Sequence, residues 1–408
     1  MRTLAVRAVL LAAVLPAGAA AQTLSLTESQ ALARLSLESP RVQAARAAVD
    51  IARADILFAR RWPNPRLTVD RESVAGTTEY ITMISQPVPI TGRRGFDVQA
   101  ASALAAASAS RSDDEVRRLR ADLRLAFAEL LGAQTRAREL TGARDRLREL
   151  ADILARRERA GDTAGFDRLR AERETLDVET DLAVAVTERS RAQAALAAFF
   201  ADRPDASHII AADSPAVPVS VPSLEALLEQ AEVIRGDVIA FTQEIDAAGF
   251  AARSADRRRL PELEIAAGTK SSTFGAGDVG GVVMLHATIP VFDRGRPERV
   301  LAAARRVHAE ARAASFRIVL RGEIVALRAA VIERRAAAER YRAEAVGRAA
   351  QIERIAQISY EAGERGILEL LDAFRIGASA RVRQALLDLA VRQAEIELEF
   401  ATGWEVPS

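Results

Sequence analysis

An internal duplication covers almost the whole 408-residue chain and limits the folds that it can adopt. A helix-like stretch that leads into Arg60–Leu67 is matched by a second stretch that leads into Arg257–Leu263. The strand-like segments that follow end in Gln86–Arg94 in the first copy and Ala287–Arg296 in the second. The chain therefore consists of two copies of one unit.

Each copy continues into a long stretch with helical periodicity, residues 95–160 in the first and 297–362 in the second. Apolar residues recur there at intervals of seven: Val116, Leu123 and Leu130, and Ile318, Val325 and Ile332. A sustained seven-residue repeat predicts coiled-coil-like packing, and about 65 residues at 1.5 Å each give uninterrupted helices about 100 Å long. Each helix ends at a glycine, Gly161 or Gly363, where a left-handed turn lets a shorter helix return.

The predicted unit is therefore helix, two strands, very long helix, turn and helix. The first repeat spans residues 22–200 with a β-hairpin near 65–91, and the second spans 223–402 with a β-hairpin near 261–292. Residues 201–222 contain Pro204, Pro215, Pro218 and Pro222, lack helical periodicity and form the predicted connector. Residues 403–408 form a tail.

The N-terminal segment, residues 1–21, has the pattern of a secretory signal peptide. Arg2 is followed by an apolar run, Leu4–Leu15, and by small residues that end at Ala21. That run is shorter than a spanning helix, and no later segment approaches the required length. We therefore expect an exported protein without a transmembrane helix. Because the chain has no cysteine, we expect neither disulfides nor a lipid anchor on an N-terminal Cys.

The strand candidates lie at 65–74 and 78–88, and at 261–272 and 280–291, and have the length of tilted transmembrane strands. The first strand of each pair alternates apolar with polar residues, as in a wall between lipid and water, whereas the second strand of each pair alternates poorly. Four strands cannot close a barrel, so closure requires at least two chains. Three chains would supply about twelve strands, and the strand pattern does not choose between these numbers.

Composition excludes several classes of function. A formal net charge of +1 favours neither nucleic acid nor acidic substrates as partners. The three histidines, His208, His286 and His308, are far apart and no Cys/His cluster accompanies them, so we expect no metal site and no cofactor. Met83 and Met284 occupy matching positions, which favours packing over a metal relay. No nucleophile elbow or phosphate-binding loop is present, and we expect no enzyme.

The duplicated layout over residues 24–402, the junction Gln86–Arg94 and the turn Tyr360–Ala373 resemble the TolC-like outer-membrane efflux proteins. The junction is most similar to the heavy-metal, CzcC-like branch. The resemblance implies a mainly α fold with a transmembrane β-barrel, in which a homotrimer completes twelve strands above a long, coiled-coil-like periplasmic tunnel. It also implies a passive exit duct for substrates from an inner-membrane RND-type pump. The other implied partners are a periplasmic adaptor (membrane fusion) protein and outer-membrane lipid.

The resemblance to the CzcC-like branch favours heavy-metal cations as the exported substrate. Drug or small-molecule efflux and type I secretion are the alternatives, because the pump usually selects the substrate. A periplasmic coiled-coil scaffold is an alternative of another class, which leaves the duplicated strands unexplained. A secreted, membrane-active helical protein is a third, and it would show one broad apolar helix face.

The same resemblance places two carboxylates at the constricted periplasmic end, and these match Glu369 and Asp372. Their spacing of three residues puts both on one helix face, and threefold symmetry would form a cation-selective pore gate. We expect Arg365 to pair with an acid of its own or a neighbouring chain and to hold the closed state. The first copy has Asp167 and Arg170 at the corresponding positions. The alternative is that these acids only complement the helix dipole.

The two glycine turns are also predicted to contact the adaptor. The residues concerned are Gly161 and Asp162 in the first copy, and Gly363 and Glu364 in the second. A role as helix breaks is compatible with this contact.

Overall fold

A computed structural model of the protein describes residues 23–161, 165–202, 204–212, 219–274 and 278–405. Residues 1–21, predicted as the signal peptide, lie outside the described residues, as does Asp162. Within the described ranges, no helix combines the length and the apolar composition needed to cross a membrane.

The first copy begins with a short strand and a capped helix that the repeat pattern did not predict. Its elements are β1 (Leu24–Leu26), α1 (Glu28–Ala33), α2 (Pro40–Arg60), β2 (Arg66–Val74), β3 (Thr77–Val88), α3 (Arg93–Ala160) and α4 (Gly165–Ala197). The prediction of a single very long helix is met by α3, whose 68 residues span about 100 Å.

The connector and the second copy follow a short 3₁₀ turn at Ala206–His208. Their elements are β4 (Ile209–Ala211), α5 (Leu224–Ile234), α6 (Gly236–Arg257), β5 (Glu262–Ser272), β6 (Val279–Thr288), α7 (Arg296–Arg340), α8 (Gly347–Glu361) and α9 (Ile367–Thr402). The connector is thus not wholly irregular, because β4 pairs in parallel with β1.

The helices pack in order across the protomer, with α3 at the centre. In the half near the strands, α3 lies between α2 and α6, and α6 packs against α7. In the other half, α3 lies between α4 and α9, and α9 packs against α7 and α8. Consequently α2 and α4 form one side of the protomer, and α7 and α8 form the other.

Two members of the seven-residue stripe predicted for α3, Leu123 and Leu130, are fully inaccessible, and the third, Val116, is half-buried. The corresponding stripe predicted for α7 is wrong for the single chain. Ile318 is 74% exposed, whereas Leu320, two residues later, is 4% exposed and belongs to the core. The physical reason is that α6 and α9 approach α7 from the side of Leu320, Ile324 and Val331.

The second long helical stretch also differs from the uninterrupted α-helix predicted for it. Residues Tyr341–Val346 form a π-helical turn between α7 and α8. The buried residues Ala338 and Ala349 on either side are eleven positions apart instead of seven. A wider turn accommodates those four extra residues and keeps the buried stripe facing α9.

A buried charge network joins the two copies near the middle of α3. Glu28 in α1 lies 2.5 Å from Arg124 in α3 and 2.7 Å from Arg392 in α9. Arg118 binds Glu397 with two hydrogen bonds of 2.7 and 3.1 Å, and this pairing raises the pKa of Arg118. Because removing one partner from such a pair leaves an uncompensated charge, these contacts hold α1, α3 and α9 in one arrangement.

Candidate functional site

The four long strands form one antiparallel sheet in the order β2-β3-β5-β6. The register runs across the sheet from Leu67 to Ile84, Ala267 and Val283. Residues directly opposite one another share a face, so the whole sheet can be divided into two faces. This register also assigns each residue of β3 and β6 to one face of the sheet, which the poor alternation in their sequences did not allow.

One face of the sheet is apolar and exposed. It carries Leu67, Val69, Tyr80, Ile84, Ile265, Val279, Val283 and Leu285. On the opposite face the central side chains are more enclosed: Ser85 and Ala266, which are directly paired, are buried, and Met83 and Met284 beside them are half-buried. Enclosure on one side and exposure on the other mean that the sheet is curved, with the apolar face convex.

The concave face carries most of the charge. Its carboxylates are Asp70, Glu72, Glu79, Glu262 and Glu264, and its cations are Arg66 and Lys270. Glu72 lies directly opposite Glu79, a like-charge pairing that destabilises a sheet, and Lys270 offsets it through a 2.6 Å contact with Glu79. Five carboxylates against two cations give this face a negative surplus that attracts cations.

Met83 and Met284 both lie half-buried on the concave face, separated by the small residues Ala266 and Gly268. A side chain at position 268 would collide with the carbonyl oxygen of Thr82, 2.0 Å away, so the glycine permits close strand pairing. Across the described ranges, no group of three or more His, Cys, Asp or Glu side chains is arranged to hold a metal ion.

The protomer has two open sides. Strands β2 and β6 are the outer strands of the sheet, and each pairs along one edge only. The helices that adjoin these strands also expose apolar residues: Ile51, Leu57 and Phe58 on α2, and Val307, Ile318, Val319, Val325 and Ile332 on α7. Unpaired strand edges and apolar helix faces therefore lie on the same two sides.

At the far end of the helices, a complete glycine cap ends α8. Gly363 has a φ of 75° and donates its N–H to the Tyr360 carbonyl at 3.1 Å. The next N–H, of Glu364, bonds the Ser359 carbonyl at 2.9 Å. These two bonds satisfy helix-end carbonyls and turn the chain sharply into α9.

Glu369 and Asp372 lie in the first two turns of α9 on its exposed side. Ile367, Leu370 and Leu371 occupy the opposite side and pack with Leu150 and Leu154 of α3. The core therefore fixes the rotation of α9 and directs both carboxylates away from the protomer. Packing against α3 explains this orientation without any contribution from the carboxylates themselves.

The expected pairing of Arg365 within its own chain is not observed. Neither Arg365 nor Glu369 forms an ion pair in the described part of the protomer, whereas Asp372 pairs with Arg375 at 2.6 Å. Sequence reasoning missed Arg375, although its spacing of three residues from Asp372 on a helix is the signal that would have identified it. Pairing of Arg365 with an acid of a neighbouring chain stays a prediction.

We call the glycine turn of each copy, with the helix ends that flank it, the tip of that copy. The tip of the first copy is stabilised by different contacts. Gly161 has a φ of 83° and ends α3, and Glu158 in the last turn of α3 binds Arg168 of α4 at 2.6 Å. Arg170 lies over the exposed ring of Phe166, 4.6 Å from its centroid, so this cation faces an aromatic ring rather than an acid. Arg157 lies 5.6 Å from the Tyr360 ring centroid, so the two tips are in contact.

Comparison with known proteins shows what this chain is similar to. Residues 227–404 match the "Outer membrane efflux protein" family. The cobalt-zinc-cadmium resistance protein CzcC of Cupriavidus metallidurans is 26% identical over 365 residues, which cover 88% of this chain and 85% of CzcC.

Solved structures share the whole architecture. The crystal structure of a membrane protein from Pseudomonas aeruginosa matches with a TM-score of 0.77 at 18% identity, over 92% of this chain and 93% of that one. The outer membrane protein VceC from Vibrio cholerae matches with a TM-score of 0.73 at 19% identity, over 92% and 96% of the two chains. The predicted resemblance to the TolC-like outer-membrane efflux proteins is confirmed.

Proposed function

We propose that this chain is a TolC-like outer-membrane efflux channel and that it is the passive exit duct of a tripartite system for heavy-metal cations. In this proposal three copies close a twelve-stranded barrel in the outer membrane, and their helices form a periplasmic tunnel. A periplasmic adaptor and an inner-membrane RND-type pump deliver the substrate. The observation that carries the proposal is that the open sheet edges and the exposed apolar helix faces lie on the same two sides of the protomer.

Matching open sides support a closed ring. Joining β6 of one copy to β2 of the next pairs both free strand edges, and the same contact brings α7 of one copy against α2 of the next. A head-to-tail contact of this kind closes into a ring when the rotation between copies is a simple fraction of a turn. Ring closure also covers Ile318 and Val325, which the single chain leaves exposed.

The two faces of the sheet support the proposed position in the membrane. The convex face, with Leu67, Val283 and Leu285, would contact lipid, and the concave face would line a water-filled lumen. The negative surplus on the concave face favours cations over anions. This preference and the similarity to CzcC, whose name specifies cobalt, zinc and cadmium, support metal cations as the cargo.

We place the gate at the far end of the tunnel. Around a threefold axis, the exposed Glu369 and Asp372 of three copies would form a ring of carboxylates. Arg365, which has no acidic partner in the described part of its own chain, would pair with an acid of a neighbouring copy in the closed state. The glycine turns at Gly161 and Gly363, with Asp162 and Glu364, would receive the adaptor.

Cross-linking in the native membrane tests ring closure. The chain has no cysteine, so cysteines introduced at Val69 in β2 and singly along β6 are the only thiols present. Oxidation should yield covalent dimers and trimers and no larger species. A ladder beyond three copies, or only monomers at every β6 position, would contradict the trimer. The control is Val69→Cys alone, which should remain monomeric because three strands of the ring separate each β2 from the β2 of the next copy.

Metal susceptibility tests the cargo. A strain that lacks the chain should become sensitive to cobalt, zinc or cadmium and regain resistance with the wild-type gene. Sensitivity to drugs with unchanged metal resistance would favour drug efflux instead. Recovery of the protein from the periplasmic soluble fraction would support the scaffold alternative.

A further inference from the structure

Arginines concentrate at the end of the sheet where the strands meet the helices. They are Arg60, Arg61, Arg93 and Arg94 in the first copy, and Arg257, Arg258, Arg259, Arg294 and Arg296 in the second. Exposed apolar residues lie among them: Trp62, Ile90, Val291 and Phe292. We call these residues the junction belt. Arg66 is left out because it lies on the concave face of the sheet.

The junction belt is one continuous zone rather than scattered side chains. In the first copy, Arg94 donates a 2.9 Å hydrogen bond to the carbonyl of Arg60, which ties the start of α3 to the end of α2. Between the copies, Arg93 contacts Glu262 at 2.8 Å, and Arg257 lies 5.7 Å from the ring centroid of Phe96. The two copies therefore present their arginines at the same level of the protomer.

The same backbone turn places the belt residues in both copies. The N–H of Ile90 bonds the Val88 carbonyl at 2.8 Å, and the N–H of Val291 bonds the Ile289 carbonyl at 2.9 Å, in each case across a proline. Such tight three-residue turns end strands. A left-handed glycine then starts each long helix, at Gly92 and Gly295. Both hairpins thus deliver an exposed aliphatic residue and arginines to one level.

Most of this positive charge is not balanced inside the protomer. Arg93 pairs with Glu262, and Arg258 pairs with Glu298 at 3.0 Å. The other seven arginines of the belt form no ion pair in the described ranges of the chain. Arg93 and Arg94 also occupy the first turn of α3, where the helix dipole disfavours a cation. Intramolecular electrostatics therefore does not account for the placement of these arginines.

The apolar members of the belt indicate what surrounds it. Phe292 is fully exposed, and Trp62, Ile90 and Val291 are more than half exposed. Arg94 lies over the Trp62 ring, 5.4 Å from its centroid. A water-filled lumen would leave these apolar side chains in water, whereas the membrane interface accepts an apolar ring and a charged head at one depth. The belt also directly adjoins the apolar convex face.

We propose that the junction belt binds the phosphate headgroups of anionic phospholipids in the periplasmic leaflet of the outer membrane. Guanidinium groups match phosphate oxygens with two parallel hydrogen bonds, and Trp62 and Phe292 enter the edge of the hydrocarbon. The belt then sets how deeply the barrel sits in the membrane. This inference rests on the proposed function, because it requires the sheet to span the outer membrane.

Trp62 provides a built-in probe. The chain has two tryptophans, and Trp62 is 53% exposed in the belt whereas Trp404 is 6% exposed in the helical core. The full-length protein is reconstituted in phosphatidylcholine vesicles that contain brominated phosphatidylglycerol or brominated phosphatidylcholine. Bromine should quench Trp62 and not Trp404, and brominated phosphatidylglycerol should quench more strongly at equal content. Inorganic phosphate at matched ionic strength should not compete.

A variant with Arg61, Arg259, Arg294 and Arg296 replaced by Gln should lose the preference for phosphatidylglycerol. We expect a change of about fivefold in relative binding for each arginine that contacts the surface. Replacement of the same four residues by Lys should retain most of the preference. The matched control, Arg156, Arg305, Arg321 and Arg354 replaced by Gln, removes four exposed arginines elsewhere and should behave like the wild type.

Failure of the proposed membrane position and failure of the headgroup inference can be distinguished. Extraction of the wild-type protein by alkaline carbonate would contradict the membrane position and with it the proposed function. Firm insertion with equal quenching by the two lipids, or with no quenching of Trp62, would overturn the headgroup inference alone. The wild-type measurement decides this even if the Gln variant does not fold.

Discussion

Arg375 donates a hydrogen bond of 2.6 Å to Asp372, so one carboxylate of the proposed gate is already paired within its own protomer. Both side chains are exposed, and such a pair adds little to the free energy of unfolding. Its effect is electrostatic, because the guanidinium cancels the charge of Asp372. Glu369, without an ion-pair partner in the described part of the chain, is therefore the stronger contributor to cation selectivity.

Replacing both Glu369 and Asp372 by Ala should raise single-channel conductance in planar bilayers and reduce the preference for cations. Removal of two carboxylates per chain widens the aperture and weakens its field. The matched control is Glu323→Ala with Glu333→Ala, two exposed acids on α7 far from the tip. The gate hypothesis fails if conductance and ion selectivity stay at wild-type values.

Arg375→Gln should strengthen the preference for cations, which is the opposite of the effect expected from removing Glu369 and Asp372. Loss of the guanidinium leaves Asp372 unpaired, so the cation-to-anion permeability ratio should rise while Glu369 is untouched. The same bilayer recordings measure this ratio in salt gradients. A lower ratio, or none of the expected change, would show that Asp372 does not face the conduction path.

Val283 and Met284 are neighbours on β6 with opposite surroundings, and arginine should have opposite effects at the two positions. Val283→Arg puts a cation on the convex face and should oppose membrane insertion by about 2–4 kcal/mol near the middle of the bilayer. Met284→Arg puts it on the concave face and should be tolerated. The measurement is the amount of heat-modifiable oligomer in the outer-membrane fraction. Equal loss in both variants would contradict the assignment of the faces.

Leu320 and Val325 separate protomer stability from assembly. Leu320→Ala should lower the free energy of unfolding by about 2–5 kcal/mol, because Leu320 is buried between α7, α6 and α9. Val325→Asp should leave the helical content of the protomer unchanged and abolish the oligomer, since Val325 belongs to the exposed stripe. Circular dichroism and light scattering measure the two effects. Retention of the oligomer in Val325→Asp would contradict the ring model.

Gly363→Ala should destabilise the tip by about 1–2 kcal/mol, because Gly363 holds a left-handed conformation with a φ of 75°. Gly322→Ala is the control, since Gly322 lies inside α7 with open space around an added methyl group. That substitution should stabilise the helix by about 0.5–1 kcal/mol. Thermal unfolding of the purified protein distinguishes the two signs, and equal midpoints would contradict the proposed role of the cap.

Features that depend on residues close together in the sequence could be predicted from the sequence. The hairpins, the long helices and the glycine turns at Gly161 and Gly363 follow from local periodicity and from backbone preference. Spacing along a helix also put Glu369 and Asp372 on one face. It did not show that Arg375 pairs with Asp372 while Arg365 does not, because that depends on how the side chains of the folded tip are arranged.

The sequence by itself therefore determined the duplicated unit and the order of its hairpins and long helices, and its resemblance to a known family supplied the candidate gate residues. Only the tertiary structure decided which face of α7 is buried, how β3 and β6 divide between the two faces of the sheet, and where the π turn interrupts the second long helix. Periodicity identifies an apolar stripe but not its partner. Ile318 and Leu320 are equally apolar, and they differ only because α6 and α9 pack on one side of α7 and the described protomer leaves the other side open.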